Sequence, residues 1–412
     1  VKAILKFSLI PLLLQALTSQ AAITVTSISA GFGYSLFLKS DGSLWAMGYN
    51  FRGELGDGTS NNTNRPEQIV PAGVTAIAAG GFHSLFIKSD GSLWAMGYNN
   101  YGELGDGTFN NTNRPEQIVA AGVTAISAGA YHSLFLKSDG SLWGMGYNYD
   151  GELGDGTYST SAPNGTNRPE QIVANGVTAI SAGGSHSLFL RSDGSLWAMG
   201  GNQWGQLGDG TFNNTNRPEQ IVAGDATAIA AGGTHCLFLK SDGSLWGMGG
   251  NGSGQLGDGI FSMLPHYGTN QPEQIVASGA MAISAGGGHS LFLKSDGSLW
   301  GTGENDTGTL GDGFIDTNYP AGTAISEQII PPPQPVLAGG ISFQTNLTFS
   351  ATCLFGGTFH LLAGTNIAQP LNQWTAVWTN VINYRSNKVF RATLTNSVNS
   401  SSGRGFYILQ SQ

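Results

Sequence analysis

The chain has 412 residues, of which 40% are hydrophobic and 63 are glycine, with 10% charged and a formal net charge of −9. Apolar residues that recur in regular patterns exclude a disordered chain, and the Gly-rich, charge-poor make-up points to short strands and tight turns rather than helices. An acidic balance without a Lys/Arg cluster argues against docking on nucleic-acid phosphates.

Residues 1–21 read as an export signal. Lys2 and Lys6 supply the charged start, Phe7 to Leu17 the apolar run, and Ser19 and Ala21 the small residues before a cleavage point near Ala22. A membrane span needs about 20 apolar residues. This run is shorter, so no span is expected once the signal is removed, and the mature chain is expected outside the cell or in the cell envelope. Val1 in place of Met suggests an alternative start codon, hence a bacterial gene.

Residues 22–330 are a tandem array. The string LFLKSDGSLW at Leu36 recurs, with minor changes, at Leu85, Leu134, Leu188, Leu237 and Leu291, at spacings of 49, 49, 54, 49 and 54 residues. A period near 50 is the size of a propeller blade. The second copy shows the grammar. Val74 to Ala79 is a short apolar strand and His83 to Lys88 a second. Asp90-Gly91 has the residues of a type I′ hairpin. Ser92 to Gly97 is a third strand, followed by the loop Gly102 to Thr108, a polar stretch, and Pro115 to Val119 as a fourth strand opening on Pro. Four antiparallel strands make one blade, and closing the ring buries the faces that a lone blade leaves open. The expected fold is therefore all-β: a β-propeller of six four-stranded blades, or seven if one is degenerate or borrowed.

The stretch Pro331-Pro332-Pro333-Gln334-Pro335 reads as a stiff linker. From 336 to 412 the repeat is absent. Alternating segments at Ile341 to Phe349, Thr358 to Leu362, Thr375 to Val377 and Val389 to Leu394 suggest a small β-sandwich.

The repeat grammar resembles the regulator of chromosome condensation family, whose pattern runs through AGxxHS, a hairpin DG, a WG-like end to the third strand, and NxxGQLG. Here the matching residues are Ala79-Gly80, His83-Ser84, Asp90-Gly91, Trp94 to Gly97, and Asn99 through Gly105, with the resemblance covering about Ile23 to Ile330. Tyr34 replaces His in the first unit, and Thr309 replaces Glu/Gln in the last. The resemblance implies a propeller, typically of seven blades. The family includes a secreted bacterial inhibitor of β-lactamase and exchange factors for the GTPase Ran; export would disfavour the second role here. The stretch Gly356 to Trp374, with Phe406-Tyr407, resembles C-terminal β-domains of exported proteins from Verrucomicrobia-like bacteria, which would imply a surface or sorting role.

Residues that recur in every unit are expected to be structural. His83, His132, His186, His235 and His289 share one slot, where an imidazole can bond to backbone beside a Gly turn. A catalytic His would need a unique partner set. Asp57, Asp106, Asp155, Asp209, Asp258 and Asp312 recur in LGDG loops and read as turn stabilisers. Trp45, Trp94, Trp143, Trp197, Trp246 and Trp300 read as core packing. Cys236 fills a slot that is Ser in the other units, so it reads as a small buried substitution; Cys353 is the only other cysteine, and no disulfide framework is expected. No nucleophile elbow, P-loop or zinc spacing occurs, so neither a catalytic residue, a metal nor a cofactor is expected.

The informative signal is where the units differ. The antiparallel second and third strands bring the residue before the His slot to the end opposite the hairpin turn, beside the residues that follow the third strand. The hairpin end is nearly uniform, whereas the other end carries Phe51, Arg52, Phe82, Tyr98, Tyr101, Tyr131, Tyr147, Tyr149 and Trp204. Insertions there add Tyr158 to Asn167 and Ile260 to Asn270, the latter carrying His266 and Tyr267. Exposed Tyr, Trp and Arg on a rigid scaffold are the anchors that interfaces use. The reading is a monomeric, non-enzymatic scaffold that holds a protein or glycan partner on this face. A cell-envelope polysaccharide hydrolase or lyase, with Asp150 or Asp306 as a unique carboxylate, and a purely structural adhesion repeat are the alternatives.

Overall fold

In the second unit, alternation along His83–Lys88 decides which way each side chain points. Phe86 packs back against Leu36, Leu38 and Leu44 of the first unit, while Leu85 and Ile87 pack forward against Phe135 and Met145 of the third. Both faces of the sheet are thus apolar, and each unit is stable only between neighbours. The same pattern repeats in every unit and produces six four-stranded antiparallel sheets, each with its strands in sequence order. The first comprises Val25–Ala30, Tyr34–Lys39, Leu44–Gly48 and Thr63–Val70; the sixth comprises Ala280–Ala285, His289–Lys294, Leu299–Glu304 and Gly322–Ile330. The protein is an all-β, six-blade propeller in this computed structural model, which describes residues 23–261, 268–315 and 322–330 and, beyond them, the backbone of five more strands. Among the described residues no helix is long and apolar enough to cross a membrane.

The first strand of each blade lies innermost, against the first strand of the next. The second strand packs on that same neighbouring strand at five successive junctions, and among the described strands no comparable packing joins the sixth blade to the first. Among the described residues, the burial of blade faces expected from ring closure is thus seen at five junctions.

Two local expectations need correcting. The hairpin is not type I′, because Asp90 does not take a positive φ; only Gly91 does, at 76°. Gly91 N donates to Lys88 O and Lys88 N to Ser92 O, which is a three-residue loop ending in a Gly bulge. Asp90 then serves through its side chain, accepting from Ser92 N and Oγ. The outer strand also starts earlier than Pro115, spanning Thr112–Val119, with a register break where Ala95 pairs with Glu116 and Gly97 with Thr112. Pro115 is accommodated at that bulge on the blade's outer edge.

The chain divides into two units between Pro332 and Pro333. In the second, Leu347–Cys353 pairs with Lys388–Leu394, and Gly357–Gly364 lies between Thr375–Ile382 and Phe406–Ser411, all antiparallel. Residues 341–346 of the strand expected from Ile341 fall outside the described residues.

Candidate binding rim

The pairing of the second and third strands sets the rim. His83 lies opposite Gly97, so Phe82 and Tyr98 meet, and Tyr98 N donates to Phe82 O at 2.8 Å. The same bond joins Tyr147 to Tyr131 and, in the first blade, Tyr49 to Gly33. Gly97 is needed for this closure: its φ is 108°, and a Cβ there would lie 2.6 Å from Phe82 O. Behind it, Asn99 anchors the following loop. Its Oδ1 accepts from Leu104 N and its Nδ2 donates to Asp106. Asp106 in turn accepts from Thr108 N and Oγ1, so the repeated LGDG aspartates have turn-holding partners.

On this frame the varied aromatics form one connected run over the first three blades. Phe82 contacts Tyr98 and Tyr131, Tyr101 contacts Tyr131 and Tyr147, and Tyr147 contacts Tyr149, with centroids 4.8–6.3 Å apart. Phe51 joins through Tyr49, and the Arg52 guanidinium sits 4.7 Å from the Tyr98 ring centre. Phe51 and Tyr149 are exposed, while Arg52, Phe82, Tyr98, Tyr101, Tyr131 and Tyr147 are half-buried. Beside Phe51 and Arg52 lies an open polar depression of about 290 Å³ lined by Ser60, Asn111, Thr112 and Asn113. Trp204 is half-buried in the fourth blade, its backbone N–H donating to Gln206 Oε1. His266 and Tyr267 lie outside the described residues. The structure adds Phe32, 5.7 Å from Phe82. Its slot holds Gly or Ala in the other units, so it was detectable as an outlier one position before the slot compared.

Beneath the rim sits a feature that sequence reasoning missed. Glu54, Glu103 and Glu152 are fully buried. In each, Oε2 accepts a backbone N–H two residues back, and Oε1 has no partner among the described residues. Burial pushes the Glu103 and Glu152 carboxyls up to about 8. The next two blades place Gln206 and Gln255 in this slot, accepting the same N–H. The signal was the Glu/Gln alternation itself: the same carbonyl-type acceptor serves the first five blades, with or without a charge. Burial also lifts the Tyr147 hydroxyl to about 12, with Glu152 and Asp150 adding to the rise. Asp150 accepts from Asn214 at 2.8 Å, and Asp306 is exposed.

The repeated histidines are structural, but their partner is not the backbone. His83 Nε2 lies 2.9 Å from Ser133 Oγ of the next blade, and Ser133 donates to the Glu103 carbonyl. The serine proton is thus committed, so His83 is the donor in its Nε2–H tautomer. The relay repeats through His132–Ser187 and His235–Ser290, and Cys236 takes the serine's place beside His186 at 2.9 Å. Burial drops these imidazoles to about 3 or 4, so they are neutral. In the first blade Tyr34 substitutes, its hydroxyl donating to His83 O. Each repeated Trp is half-buried rather than central. Trp94 stacks on Phe86 at 6.0 Å, carries Lys88 Nζ 3.9 Å from its ring centre, and donates from Nε1 to Ser92.

Comparison with known proteins places this architecture. Human WBSCR16 superposes with a TM-score of 0.64 at 24% identity, over 76% of this chain and 83% of that one. Prp20p from Saccharomyces cerevisiae, described as binding Gsp1p and histones, superposes with a TM-score of 0.64 at 23% identity, over 74% of this chain and 77% of that one. At these identities the likeness is one of fold. No curated protein sequence matches the chain. The family model of the RCC1-like domain matches residues 6–344, and the chain belongs to that family.

Proposed function

We propose that this chain is an exported, non-enzymatic scaffold that holds a protein partner on the aromatic rim of its first three blades. The observation that carries the reading is the connected run of rings from Phe32 to Tyr149, formed from side chains that differ between units on a backbone that does not. Half-buried rings that brace one another lose little freedom on binding, which suits Tyr-rich interface anchors. Most of these rings meet edge to face, so their flat faces are partly occupied, which favours a protein over a glycan stacked on open rings. Prp20p, which shares the fold, is described as binding proteins. The signal-like composition of residues 1–21 supports export. A hydrolase reading draws no support from Glu103 and Glu152, since neither reaches solvent and each holds backbone.

The test is affinity capture from the native culture with the wild-type chain and with Phe51→Ala, Tyr101→Ala and Tyr149→Ala combined. The triple variant should lose the captured protein while its melting temperature stays within about 3 °C, as expected for changes at partly exposed sites. Capture that survives all three changes places the interface elsewhere, and specific retention on a glycan array instead assigns the rim to sugar.

A further inference from the structure

Two slots of the repeat meet where one blade's loop touches the next blade's outer strand, and different junctions fill them with different chemistry. Between the third and fourth blades, Asn214 Oδ1 accepts from Asn202 N at 2.8 Å, which fixes the side-chain amide. Its Nδ2 then donates to Asp150 Oδ1 of the third blade at 2.8 Å. Between the first and second blades, Asn111 is held in the same way, its Oδ1 accepting from Asn99 N at 2.9 Å. The backbones match as well. A Cβ at Gly151 would lie 2.7 Å from Asn216 Cα, and one at Gly53, the same slot, 2.6 Å from Asn113 Cα. The residue in the Asp150 slot is here Arg52. Asn111 is exposed, and among the described residues its Nδ2 has no acceptor. This junction has the amide donor without the carboxylate.

A second donor group stands in the carboxylate's place. The Arg52 guanidinium lies over the Tyr98 ring and makes no ion pair among the described residues. Glu54, two residues on, is buried; its Oε2 accepts Arg52 N and its Oε1 has no partner, so it makes no hydrogen bond to the guanidinium. The open depression of about 290 Å³ at this place is bounded by Phe51, Arg52, Ser60, Asn111, Thr112 and Asn113. These supply one cation, hydroxyls and amides and no carboxylate, in a chain whose net charge is −9. A second depression, of about 580 Å³ on the first blade, carries Asp57 and Glu67 and has the opposite character.

We propose that the depression beside Phe51 receives a carboxylate of the partner, from an Asp or Glu side chain, held between the Arg52 guanidinium and the Asn111 amide. The proposal rests on the reading of the rim as a protein-binding surface, to which it adds a polar anchor. The Asp150–Asn214 contact is its template: the chain already matches this Asn slot with a carboxylate, and at the first junction the carboxylate is left to come from outside. A guanidinium presents several N–H donors in one plane and makes its strongest hydrogen bonds to carboxylates. Phe51, 66% exposed, flanks the depression, so an acidic residue beside an apolar one fits it.

A capped glutamate, N-acetylglutamate N-methylamide, tests the site without any partner in hand. It is titrated into the isotopically labelled full chain while the side-chain N–H signals of Arg52 and Asn111 are followed by NMR. Both should shift and saturate, with a dissociation constant of about 1–10 mM. The capped glutamine analogue should leave them in place, and Asn214, whose Nδ2 already has Asp150, should respond to neither. Arg52→Asp copies the junction between the third and fourth blades. It should abolish the response with a melting temperature within about 3 °C of wild type. Arg52→Gln removes the charge alone and should weaken the response at least about threefold. With the partner captured on the rim, Arg52→Asp should lower affinity at least about tenfold. Equal shifts with the glutamine analogue, a response that survives Arg52→Asp, or tighter binding of inorganic phosphate than of the capped glutamate overturns the carboxylate assignment. Partner affinity lost in the Phe51, Tyr101 and Tyr149 triple variant but kept in Arg52→Asp overturns this inference and leaves the rim reading standing. Capture that survives the triple variant overturns the rim reading, and the partner's carboxylate with it.

Discussion

A single hydroxyl can carry a junction between blades, as the serine of the His relay shows. Ser187 accepts from His132 and donates to the Glu152 carbonyl, so losing either partner strands buried polar groups. His132→Ala should cost about 2–4 kcal/mol, combining a cavity with an orphaned hydroxyl, and thermal or urea unfolding would measure it. Cys236→Ser should change stability by less than about 1 kcal/mol, because it restores the residue that the other junctions use. The same buried layer sets opposing pH responses. His132 titrates at about 4 in the fold against 6.5 ordinarily, so its contribution is intact above about 6.5 and declines as pH falls toward 4. Glu103 titrates at about 8 against 4.5, so its contribution is intact below about 4.5 and declines as pH rises toward 8. Glu103→Gln with Glu152→Gln should therefore raise the unfolding free energy at pH 8, by about 1–2 kcal/mol per site, with the gain shrinking toward pH 4.5. A gain that is the same at both pH values would show that these carboxyls do not titrate as described.

At the scale of the strand, periodicity made nearly all of the blade legible. The runs VTAIAA and HSLFIK became strands with the expected limits, and Asp-Gly marked the hairpin. The turn type was not legible, because Asp-Gly suits both a type I′ turn and a type I turn closed by a Gly bulge. The choice was made by Ser92, whose N–H and hydroxyl both capture the Asp90 carboxylate. The start of the outer strand was hidden because Pro115 looks like a strand opener, whereas the bulge lets the strand begin at Thr112. Two glycines need both a positive φ and empty space: a Cβ at Gly91 would lie 2.9 Å from Gly122 N, and one at Gly97, more crowded, 2.6 Å from Phe82 O and 2.8 Å from His83 Cα. Gly97→Ala should thus destabilise by at least ~2 kcal/mol, more than Gly91→Ala, and both can be read from unfolding curves.

Across the whole molecule, near-identity of the units divided the labour. What all units share holds blades together, and what they do not share gathers at one rim. The gathering of Phe82, Tyr98, Tyr101, Tyr131, Tyr147 and Tyr149 was legible because antiparallel pairing dictates which chain ends meet. The buried glutamates were not, because a charged residue in a loop reads as solvated until the fold shows what covers it. The greater exposure of Val25 and Leu293 in the terminal blades was also invisible, since all units look equally able to pack on both sides. Function at the aromatic rim is tested most directly by the dissociation constant of the captured partner for rim and hairpin-end variants of the same propeller. Phe51→Ala with Tyr101→Ala and Tyr149→Ala should weaken binding at least about 100-fold, or roughly 2.7 kcal/mol. Lys39→Ala with Lys88→Ala and Lys137→Ala, at the uniform end, should weaken it less than about threefold. The opposite ranking would contradict the assignment of function to the aromatic rim.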